Sequence, residues 1–531
     1  MTRGTTAPWW EAAVIYQIYL RSFTDFDGDG VGDLPGLISR LPYIASLGFE
    51  GIWLTPFQPS PQVDQGYDVS DYCAVDPLFG TMGDFDHLID RAHGLGVRVV
   101  VDLVPNHCSA SHPRFTEALE SQPGSAARKL FHFADGRGEN GDRPPNNWQS
   151  VFGGPAWERA APGSASDRQW YLHLYTAAQP DWNWRNPVVV DYFDDVVRFW
   201  LERGADGLRI DVAHGLYKAH GMPDLVDAFT VMDGLRTNAH ICDQEEVHAI
   251  YRRWRAIADD YHPKRLLVGE VNLEPWRAWR YTRPDELHQS FAFAFLRAGW
   301  DPHAWIATGN ELEEAHRLSG APISWALENH DVVRTPKRYG NGPRGSARAR
   351  AALLAMLGLP GSAYVYQGQE LGLTEVDVPE DRRVDPAGAR GALCRDGARV
   401  PLPWTADAAQ GYGFSPRDAA AEPWLPFPAG WGEQCVDHQQ KDPASMLGLL
   451  RQALALRREL HCEGILAARD TASWRQEEGG LVVCDRPQLS VAVVMGDEPV
   501  RQPPGELLIS SHPQPQPGWL APDTSAWIAL S

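Results

Sequence analysis

Eight short runs of strand-forming residues recur along the chain, and each is followed by a segment of helical character. The runs span residues 14–18, 51–54, 97–104, 207–211, 266–270, 291–295, 323–327 and 363–366. Because they are almost continuously apolar, these runs predict a parallel sheet that is covered on both faces. Eight β-then-α units predict an α/β protein, a (β/α)8 TIM barrel, which places its chemistry at the carboxyl ends of the strands.

The alternation is interrupted after the third run. Residues 105–178 are rich in Pro, Gly, Asn and Trp, and this segment is too long for a βα loop. We therefore predict an inserted domain B at 105–178, between two parts of the catalytic barrel at 1–104 and 179–460. From 461 to 531 the pattern changes to short strands between Pro-rich turns, which predicts a small C-terminal antiparallel β-domain.

Composition narrows the classes of partner. The net charge of −21 repels phosphates and anionic lipid, so we expect neither nucleic acid nor a membrane as a partner. No apolar run reaches the length of about 18 residues that a membrane span needs, and the first ten residues do not resemble a signal peptide. Seven scattered cysteines indicate reduced thiols and a cytoplasmic location. No oligomeric state is favoured.

The fourth run ends in a cation and a carboxylate that face the same way. In a strand over 207–211, Arg209 and Asp211 are two residues apart and therefore share one side. We expect Arg209 to lower the pKa of Asp211 and keep it ionised, which suits a carboxylate nucleophile. An ordinary ion pair at a strand end explains the same pattern.

Other strands end in residues of the same kind. The third run leads into Asp102 and His107, the fifth ends at Glu270, and the seventh leads into Asp331. Any one of these could be a structural hydrogen-bonding group. Together they present Asp211, Glu270 and Asp331 at one rim of the barrel. The repulsion among these like charges is expected to raise the pKa of at least one of the three carboxyl groups. A pair of carboxylates on opposite sides of one bond is what glycoside cleavage requires.

The loop after the first run carries four aspartates in nine residues, with glycines that permit tight turns. A hard cation would gather these charges, and the spacing suits calcium, with magnesium as a possible substitute, in a structural role. The loop is not an EF-hand, because Gly36 occupies the twelfth position where a bidentate glutamate is needed. A solvated acidic loop is the alternative. The candidate ligands are Asp25, Asp27, Asp29, the Val31 carbonyl and Asp33.

Taken in order, four motifs resemble the signature regions of the α-amylase superfamily, glycoside hydrolase family 13. They are residues 102–107 (DLVPNH), 207–211 (GLRID), 269–272 (GEVN) and 328–331 (ENHD). Residues 179–183 (QPDWN) resemble the fifth motif of the α-glucosidase and oligo-1,6-glucosidase branch. The acidic loop also resembles that branch, and its resemblance to a family calcium loop implies the five ligands named above.

The resemblance implies a role for each matching residue. Asp211 would be the nucleophile of a retaining reaction, Glu270 the general acid and base, and Asp331 the group that binds sugar hydroxyls and stabilises the transition state. The remaining positions would bind or orient the first sugar, with Tyr67 as a stacking platform and Asp64 closing the pocket. They are Asp64, Tyr67, His107, Tyr175, Gln179, Arg209 and His330.

The resemblance implies an exo-acting α-glucosidase that cleaves short α-glucosides or small oligosaccharides. A glucosyl transferase or isomerase of the same family, of the transglucosidase, trehalose synthase or sucrose isomerase type, remains the alternative, because the sequence does not decide between water and sugar as acceptor. One departure concerns the pocket. Residues 423–431, where this branch carries an arginine that holds the non-reducing end, contain none, so a different clamp is expected.

Overall fold

The computed structural model describes residues 8–164, 166–225, 232–233, 236–237 and 240–530. Its strands are β1 (Val14–Ile18), β2 (Gly51–Leu54), β3 (Arg98–Leu103), β4 (Phe133–Asp135), β5 (Trp157–Arg159), β6 (Gln169–Leu172), β7 (Gly207–Ile210), β8 (Met232–Asp233), β9 (Arg236–Thr237), β10 (Leu266–Gly269), β11 (Gln289–Ser290), β12 (Ser324–Ala326), β13 (Ser362–Tyr366), β14 (Ser473–Glu477), β15 (Leu481–Asp485), β16 (Leu489–Val494), β17 (Val500–Arg501), β18 (Glu506–Ser510), β19 (Trp519–Leu520) and β20 (Thr524–Ala529).

The α-helices of the same residues are α1 (Leu34–Leu47), α2 (Met82–Gly94), α3 (Pro113–Glu120), α4 (Pro187–Glu202), α5 (Val247–Asp259), α6 (Pro275–Ala278), α7 (Phe293–Arg297), α8 (Pro302–Ser319), α9 (Thr335–Arg338), α10 (Gly342–Gly358), α11 (Pro386–Ala389), α12 (Asp396–Arg399), α13 (Val436–Gln439) and α14 (Met446–Cys462). In this part of the chain, none of the helices combines the length and the apolar character that a membrane span requires.

Eight parallel strands form the predicted barrel. Their order is β11-β10-β7-β3-β2-β1-β13-β12, and a parallel bridge between Phe291 and Ser324 joins the two edge strands. The strands are buried along nearly their whole length, and β1, β2, β7 and β10 are buried at every residue. The predicted (β/α)8 fold is therefore confirmed, and the loops after the strands lie together at one end of the barrel.

The sixth strand differs from the prediction. A strand was expected over residues 291–295, but the strand is β11 (Gln289–Ser290), and α7 begins at Phe293. The alternation of Phe and Ala imitates the period of a strand. In the structure Leu296 donates its backbone N–H to the Ala292 carbonyl, and Phe295 packs on Trp305 and Trp325. Packing against neighbouring indoles thus favours one helical turn over strand pairing.

The segment after β3 carries its own small sheet, in the antiparallel order β4-β6-β5. Trp148 and Trp157 belong to a separate apolar cluster there. At its junction with the barrel, Lys218 Nζ lies 2.8 Å from Asp181 Oδ2, and both side chains are fully buried. The same ammonium donates to Asn106 Oδ1 at 2.8 Å. This buried ion pair fixes the chain that follows the inserted segment beside the loop after β3.

The C-terminal residues form a five-stranded antiparallel sheet in the order β14-β15-β16-β20-β18. Its tryptophans pack against glycines on barrel helices. A Cβ at Gly309 of α8 would lie 2.4 Å from the Trp474 ring, and one at Gly358 of α10 would lie 2.5 Å from Trp527 Nε1. The absence of side chains at these two positions therefore allows the sheet to approach the barrel closely.

Candidate active site

A cavity of about 310 Å³ opens at the carboxyl ends of the barrel strands. Of the ten predicted catalytic and substrate-binding residues, eight line it: Asp64, Tyr67, His107, Tyr175, Asp211, Glu270, His330 and Asp331. The other two, Arg209 and Gln179, are buried and do not line it. The structure thus brings the predicted side chains together from loops that are far apart in sequence.

Arg209 joins three carboxylates at the floor of the cavity. Its Nη1 donates to Asp211 Oδ1 at 2.5 Å and to Asp102 Oδ1 at 3.0 Å, and its Nη2 lies 2.9 Å from Glu270 Oε2. Only about 1% of the Arg209 side chain is exposed, so water does not screen these contacts. One fixed guanidinium therefore orients the predicted nucleophile and the predicted acid/base relative to each other.

The pKa of Asp211 departs from the expectation. Burial raises it well above the usual value, Arg209 opposes the rise, and the carboxylates of Glu270 and Asp102 add to it. The expected net lowering by Arg209 was wrong, because that single charge is divided among three largely buried carboxylates. Arg209 holds the Asp211 and Glu270 side chains beside each other, and a proton shared by the two carboxyl groups relieves their repulsion.

Asp331 has the opposite electrostatics. Its Oδ1 accepts from Arg395 Nη1 and Arg399 Nη2, each at 3.0 Å, and its Oδ2 lies 3.2 Å from His330 Nε2. Burial opposes ionisation, but the adjacent His330 Nε2–H and the positive charges of Arg395 and Arg399 outweigh it and hold the pKa of Asp331 well below its usual value. Asp331 therefore stays ionised in the same cavity in which Asp211 tends toward protonation.

Arg395, in the segment after β13, lines the cavity and contacts three carboxylates. Its Nη2 lies 2.9 Å from Asp64 Oδ1 and 2.7 Å from Asp385 Oδ1. This arginine lies earlier in the segment after β13 than residues 423–431, so the expected difference in the clamp stays a prediction. The sequence offered no motif that singles out Arg395, because the segment after β13 has no regular pattern.

His330 and Tyr67 form a hydrogen-bonded wall. Gln17 Nε2 donates to His330 Nδ1 at 2.8 Å, so the ring hydrogen is on Nε2, 2.7 Å from the Tyr67 hydroxyl. That hydroxyl donates to Asp102 Oδ2 at 3.2 Å. Burial lowers the pKa of His330 to about 3, which keeps the imidazole neutral. The two rings are stacked with centroids 5.3 Å apart, and this fixes Tyr67 as a flat surface.

Gln179 is buried behind the cavity wall and contacts residues that line the cavity. Its Nε2 donates to Asp64 Oδ2 at 3.1 Å, and its Oε1 accepts from the Thr176 backbone and hydroxyl. His107 Nε2 is 3.3 Å from the same amide nitrogen, and burial lowers the His107 pKa. These contacts make Gln179 a positioning residue for Asp64, whereas His107 itself lines the cavity.

Three aspartates of the acidic loop lie together. Oxygens of Asp25, Asp27 and Asp29 all lie within 4.8 Å of one another, a donor set that fits a hard cation. Asp33 is placed differently: its two oxygens accept from the backbone of Gly36 and Phe26, so it caps α1. The Val31 backbone N–H donates to Asp29.

Comparison with known proteins identifies the family to which this chain belongs. The alpha-amylase catalytic domain family matches residues 17–463. A probable alpha-glucosidase of Rhizobium meliloti (strain 1021) is 39% identical over 473 residues, which cover 85% of this chain and 82% of that protein.

Two solved structures show the same architecture. The alpha-glucosyl transfer enzyme XgtA superposes with a TM-score of 0.88 at 34% identity, covering 98% of this chain and 99% of that one. Trehalulose synthase MutB from Pseudomonas mesoacidophila MX-45 has a TM-score of 0.86 at 28% identity, covering 98% and 99%. With a family match that spans most of the sequence and with these relatives, the chain belongs to the α-amylase family of glycoside hydrolases.

Proposed function

We propose that this protein is a retaining α-glucosidase that releases glucose from the non-reducing end of short α-glucosides. The observation that carries the proposal is the bridge between Asp64 and Arg395, at 2.9 Å, beside the catalytic carboxylates. A wall built from two charged side chains limits a substrate to one sugar beyond the scissile bond. The names of the relatives, which include a probable alpha-glucosidase, support the same activity.

In the first step the proton shared by the two carboxyl groups is on Glu270, so the ionised Asp211 attacks the anomeric carbon. Glu270 protonates the glycosidic oxygen as the bond to it breaks. Glu270 Oε2 lies 2.9 Å from Arg209 Nη2 and accepts a hydrogen bond from the Val212 backbone N–H at 3.0 Å. The transferable proton is therefore assigned to Oε1. Asp211 and Glu270 both contact the Arg209 guanidinium, at 2.5 and 2.9 Å, and this closeness supports a retaining reaction, whose carboxyl groups are about 5 Å apart.

In the second step Glu270, now ionised, takes a proton from water, and that water oxygen attacks the anomeric carbon. Asp211 leaves as the carboxylate, and Arg209 stabilises it through the 2.5 Å hydrogen bond. Asp331, held ionised by its cationic neighbours, binds sugar hydroxyls and stabilises the positive charge that develops on the ring in both steps.

Glucosyl transfer is the second candidate function. Two close structural relatives are named as an alpha-glucosyl transfer enzyme and a trehalulose synthase. Transfer uses the same glucosyl-enzyme, and only the acceptor changes: a sugar hydroxyl replaces water, and Glu270 takes its proton in the same way. The ratio of transfer to hydrolysis is set by the part of the cavity beyond the first sugar.

We further propose that the acidic loop holds a structural calcium ion, with magnesium as a substitute. Asp25, Asp27 and Asp29 would be its carboxylate ligands, and their clustering supports this. Asp33 lies outside this cluster, and its side chain caps the N-terminus of α1 instead. Calcium would stabilise the loop by neutralising three adjacent charges. Thermal unfolding with added calcium, in the parent and in Asp27→Asn, tests the proposal: stabilisation of the parent alone is expected.

A cytoplasmic location is also proposed. None of the seven cysteines, all of which lie in the described part of the chain, takes part in a disulfide bond. Reduced thiols are typical of the cytoplasm. Fractionation of the source cells tests this proposal, and recovery of the activity from the culture medium contradicts it.

Product analysis is the decisive experiment. The purified protein is incubated with maltose, isomaltose, sucrose, trehalose and maltotriose beside the Asp211→Asn variant. Release of free glucose by the parent, and its loss in the variant, is expected. Failure to release glucose from all five sugars contradicts hydrolysis. New oligosaccharides or an isomer with little free glucose would establish the transferase function instead.

A further inference from the structure

A cavity of about 290 Å³ opens at the end of the barrel opposite the active site. It is lined by the segments that lead into β1, β10, β11 and β12 and by the linker between α14 and β14. Because the strands are parallel, these segments lie at the amino ends of the strands, away from the rim that carries the catalytic carboxylates. The cavity is close in size to the smallest small-molecule sites, at about 300 Å³.

Positive charge predominates around this cavity. Of the described residues that line it, four carry a positive charge at neutral pH and one is acidic: Arg255, Lys264, Arg283 and Arg469, against Glu11. The whole chain has a net charge of −21, so the local balance is the reverse of the overall one. A cleft lined by one sign of charge concentrates ligands of the opposite sign. The ligand that fits this cavity is therefore an anion.

Two carboxylates close to these basic side chains leave part of the positive charge uncompensated. Asp259 is shared by two cations, since its Oδ1 lies 3.0 Å from Lys264 Nζ and its Oδ2 lies 3.0 Å from Arg255 Nε. Glu11 accepts hydrogen bonds from Arg469 Nη2 at 2.7 Å and from Arg469 Nε at 3.1 Å. Three cations thus face two carboxylates in this part of the lining.

Arg283 has the longest ion pair of the four basic residues. Its Nη1 lies 3.5 Å from Glu286 Oε1, an oxygen that already accepts from Arg252 Nη1 at 2.9 Å. The other Glu286 oxygen lies 2.6 Å from His248 Nδ1. Because Glu286 is held by these two neighbours, the Arg283 guanidinium, which is about one-third exposed, is available to a ligand.

His288 adds an uncharged donor on the inner wall of the cavity. Its Nδ1 accepts from the Leu267 backbone at 3.1 Å, so the ring hydrogen is on Nε2. Among the described residues this Nε2 has no hydrogen-bond partner, and Asp259 Oδ1 is 3.9 Å away. The His288 side chain is more than nine-tenths buried. A buried N–H group that lacks an acceptor favours a ligand oxygen at this wall.

We propose that this cavity is a phosphate-binding site, which takes inorganic phosphate or the phosphate group of a small metabolite. The planar Arg283 guanidinium can donate paired hydrogen bonds to phosphate oxygens, and Lys264 supplies a compact charge. The apolar part of the lining is formed by Trp10, Pro284 and Leu287. A short carbon skeleton attached to the phosphate packs on these side chains.

Titration calorimetry with inorganic phosphate and with glycerol 3-phosphate tests the inference and separates the two sources of phosphate. Ionic strength is held constant with sodium chloride, so that non-specific screening does not change during the titration. We expect one site per chain, with a dissociation constant below about 1 mM for at least one probe. Tighter binding of glycerol 3-phosphate identifies an organic phosphate as the ligand, and equal or weaker binding identifies inorganic phosphate. Dissociation constants above about 1 mM for both probes overturn the inference.

Two substitutions locate the bound phosphate. Arg283→Gln and Lys264→Gln should each weaken binding by about tenfold, the contribution of one charge-assisted hydrogen bond. Glu286 and Asp259 each keep another cationic partner in these variants, so the fold should persist, and thermal unfolding checks this. Unchanged affinity in both variants overturns the inference.

Arg252→Gln is the matched control. Arg252 contacts the same Glu286 oxygen as Arg283 and is similarly exposed, but it does not line the cavity. Phosphate binding should therefore remain at the parent value, and an equal loss in Arg252→Gln and Arg283→Gln would assign Arg283 a structural role and overturn the site. Arg297→Gln, in the active-site cavity, should also bind phosphate as the parent does. A loss in that variant would place the phosphate in the active site instead.

Discussion

Arg395 Nη2 lies 2.9 Å from Asp64 Oδ1, so a loop that follows β13 meets a loop that follows β2 across the active-site cavity. The same guanidinium reaches Asp331 and Asp385. One side chain therefore closes the cavity, orients a catalytic carboxylate and fixes its own loop. The clamp is defined by this three-way contact rather than by a sequence motif.

Replacing Arg395 should impair catalysis strongly. Arg395→Ala removes a charged donor from Asp331 and opens the cavity, and we expect kcat/KM for maltose to fall by about 10²-fold or more. Initial rates across maltose concentrations measure this. Arg390→Ala is the control, because that exposed arginine contacts the Gly153 carbonyl and none of these carboxylates. Near-normal activity in a folded Arg395→Ala protein would contradict the clamp.

Glu270→Gln should separate the two chemical steps. Without a proton donor, hydrolysis of maltose should fall by about 10²–10⁴-fold, the usual contribution of general acid catalysis. A dinitrophenyl α-glucoside needs no protonation of its leaving group, so a rapid burst of dinitrophenol should survive, followed by slow turnover. Stopped-flow absorbance measures the burst. Asp211→Asn should show no burst, and a burst in that variant would assign the nucleophile elsewhere.

The barrel could be predicted because most of its strands are apolar throughout and short. The exception is instructive. Residues 291–295 alternate Phe and Ala as a strand does, and only the indoles of Trp305 and Trp325, which contact Phe295, show why a helical turn forms there. The local sequence pattern favours a strand, whereas tertiary packing favours a helical turn. The packing partners Trp305 and Trp325 lie in α8 and β12, so the local sequence does not show them.

The cavity-lining residues could be predicted by the motifs, but their electrostatics could not. The spacing of Arg209 and Asp211 shows a pair, whereas the structure shows that Arg209 is shared with Asp102 and Glu270. The resulting rise in the Asp211 pKa depends on burial, which no short motif contains. Arg395 was missed for a related reason, since its loop has no regular pattern and its partners come from distant loops.

Lys218 should be essential for stability at the junction of the inserted segment. Lys218→Met leaves the buried Asp181 side chain without its cationic partner, and we expect the free energy of unfolding to fall by about 3–5 kcal/mol. Chemical denaturation measures this. Lys337→Met is the control, since its partner Asp377 is largely exposed and such pairs contribute about 0–1 kcal/mol. A Lys218→Met loss no larger than that of the control would contradict the assignment.

Packing of the C-terminal sheet should depend on Gly309. A Cβ there would lie 2.4 Å from the Trp474 ring, so Gly309→Ala should destabilise the protein by about 1–3 kcal/mol through overpacking. Gly94→Ala, at the last residue of α2 with no atom within 4 Å of the added carbon, should be neutral or stabilising by up to about 1 kcal/mol. Thermal unfolding of both variants measures the contrast, and a stable Gly309→Ala protein would show that the interface can relax.

Glu370 should make stability depend on pH. Burial raises the pKa of Glu370 from 4.5 to about 7, although Tyr16 and the Gly368 backbone donate hydrogen bonds to it at 2.7 and 2.6 Å. Below pH 4.5 the carboxyl is protonated in both states. Between pH 4.5 and 7 the folded protein keeps a proton that the unfolded chain has released, so stability falls as pH rises. The total loss is about 3 kcal/mol and is complete above pH 7.

Glu370→Gln should remove this component, because the amide imitates the protonated carboxyl: its NH2 can donate to the Tyr16 hydroxyl and its oxygen can accept from Gly368. The difference in unfolding free energy between variant and parent should therefore shift in favour of the variant between pH 4.5 and 7. Tyr16→Phe acts in the opposite direction. It removes a hydrogen bond that lowers the pKa, so the loss of stability should extend to higher pH. Urea denaturation across pH 4 to 8 measures all three proteins, and parallel curves would show that Glu370 does not titrate in this range, because a buried group that changed its protonation state would have to separate them.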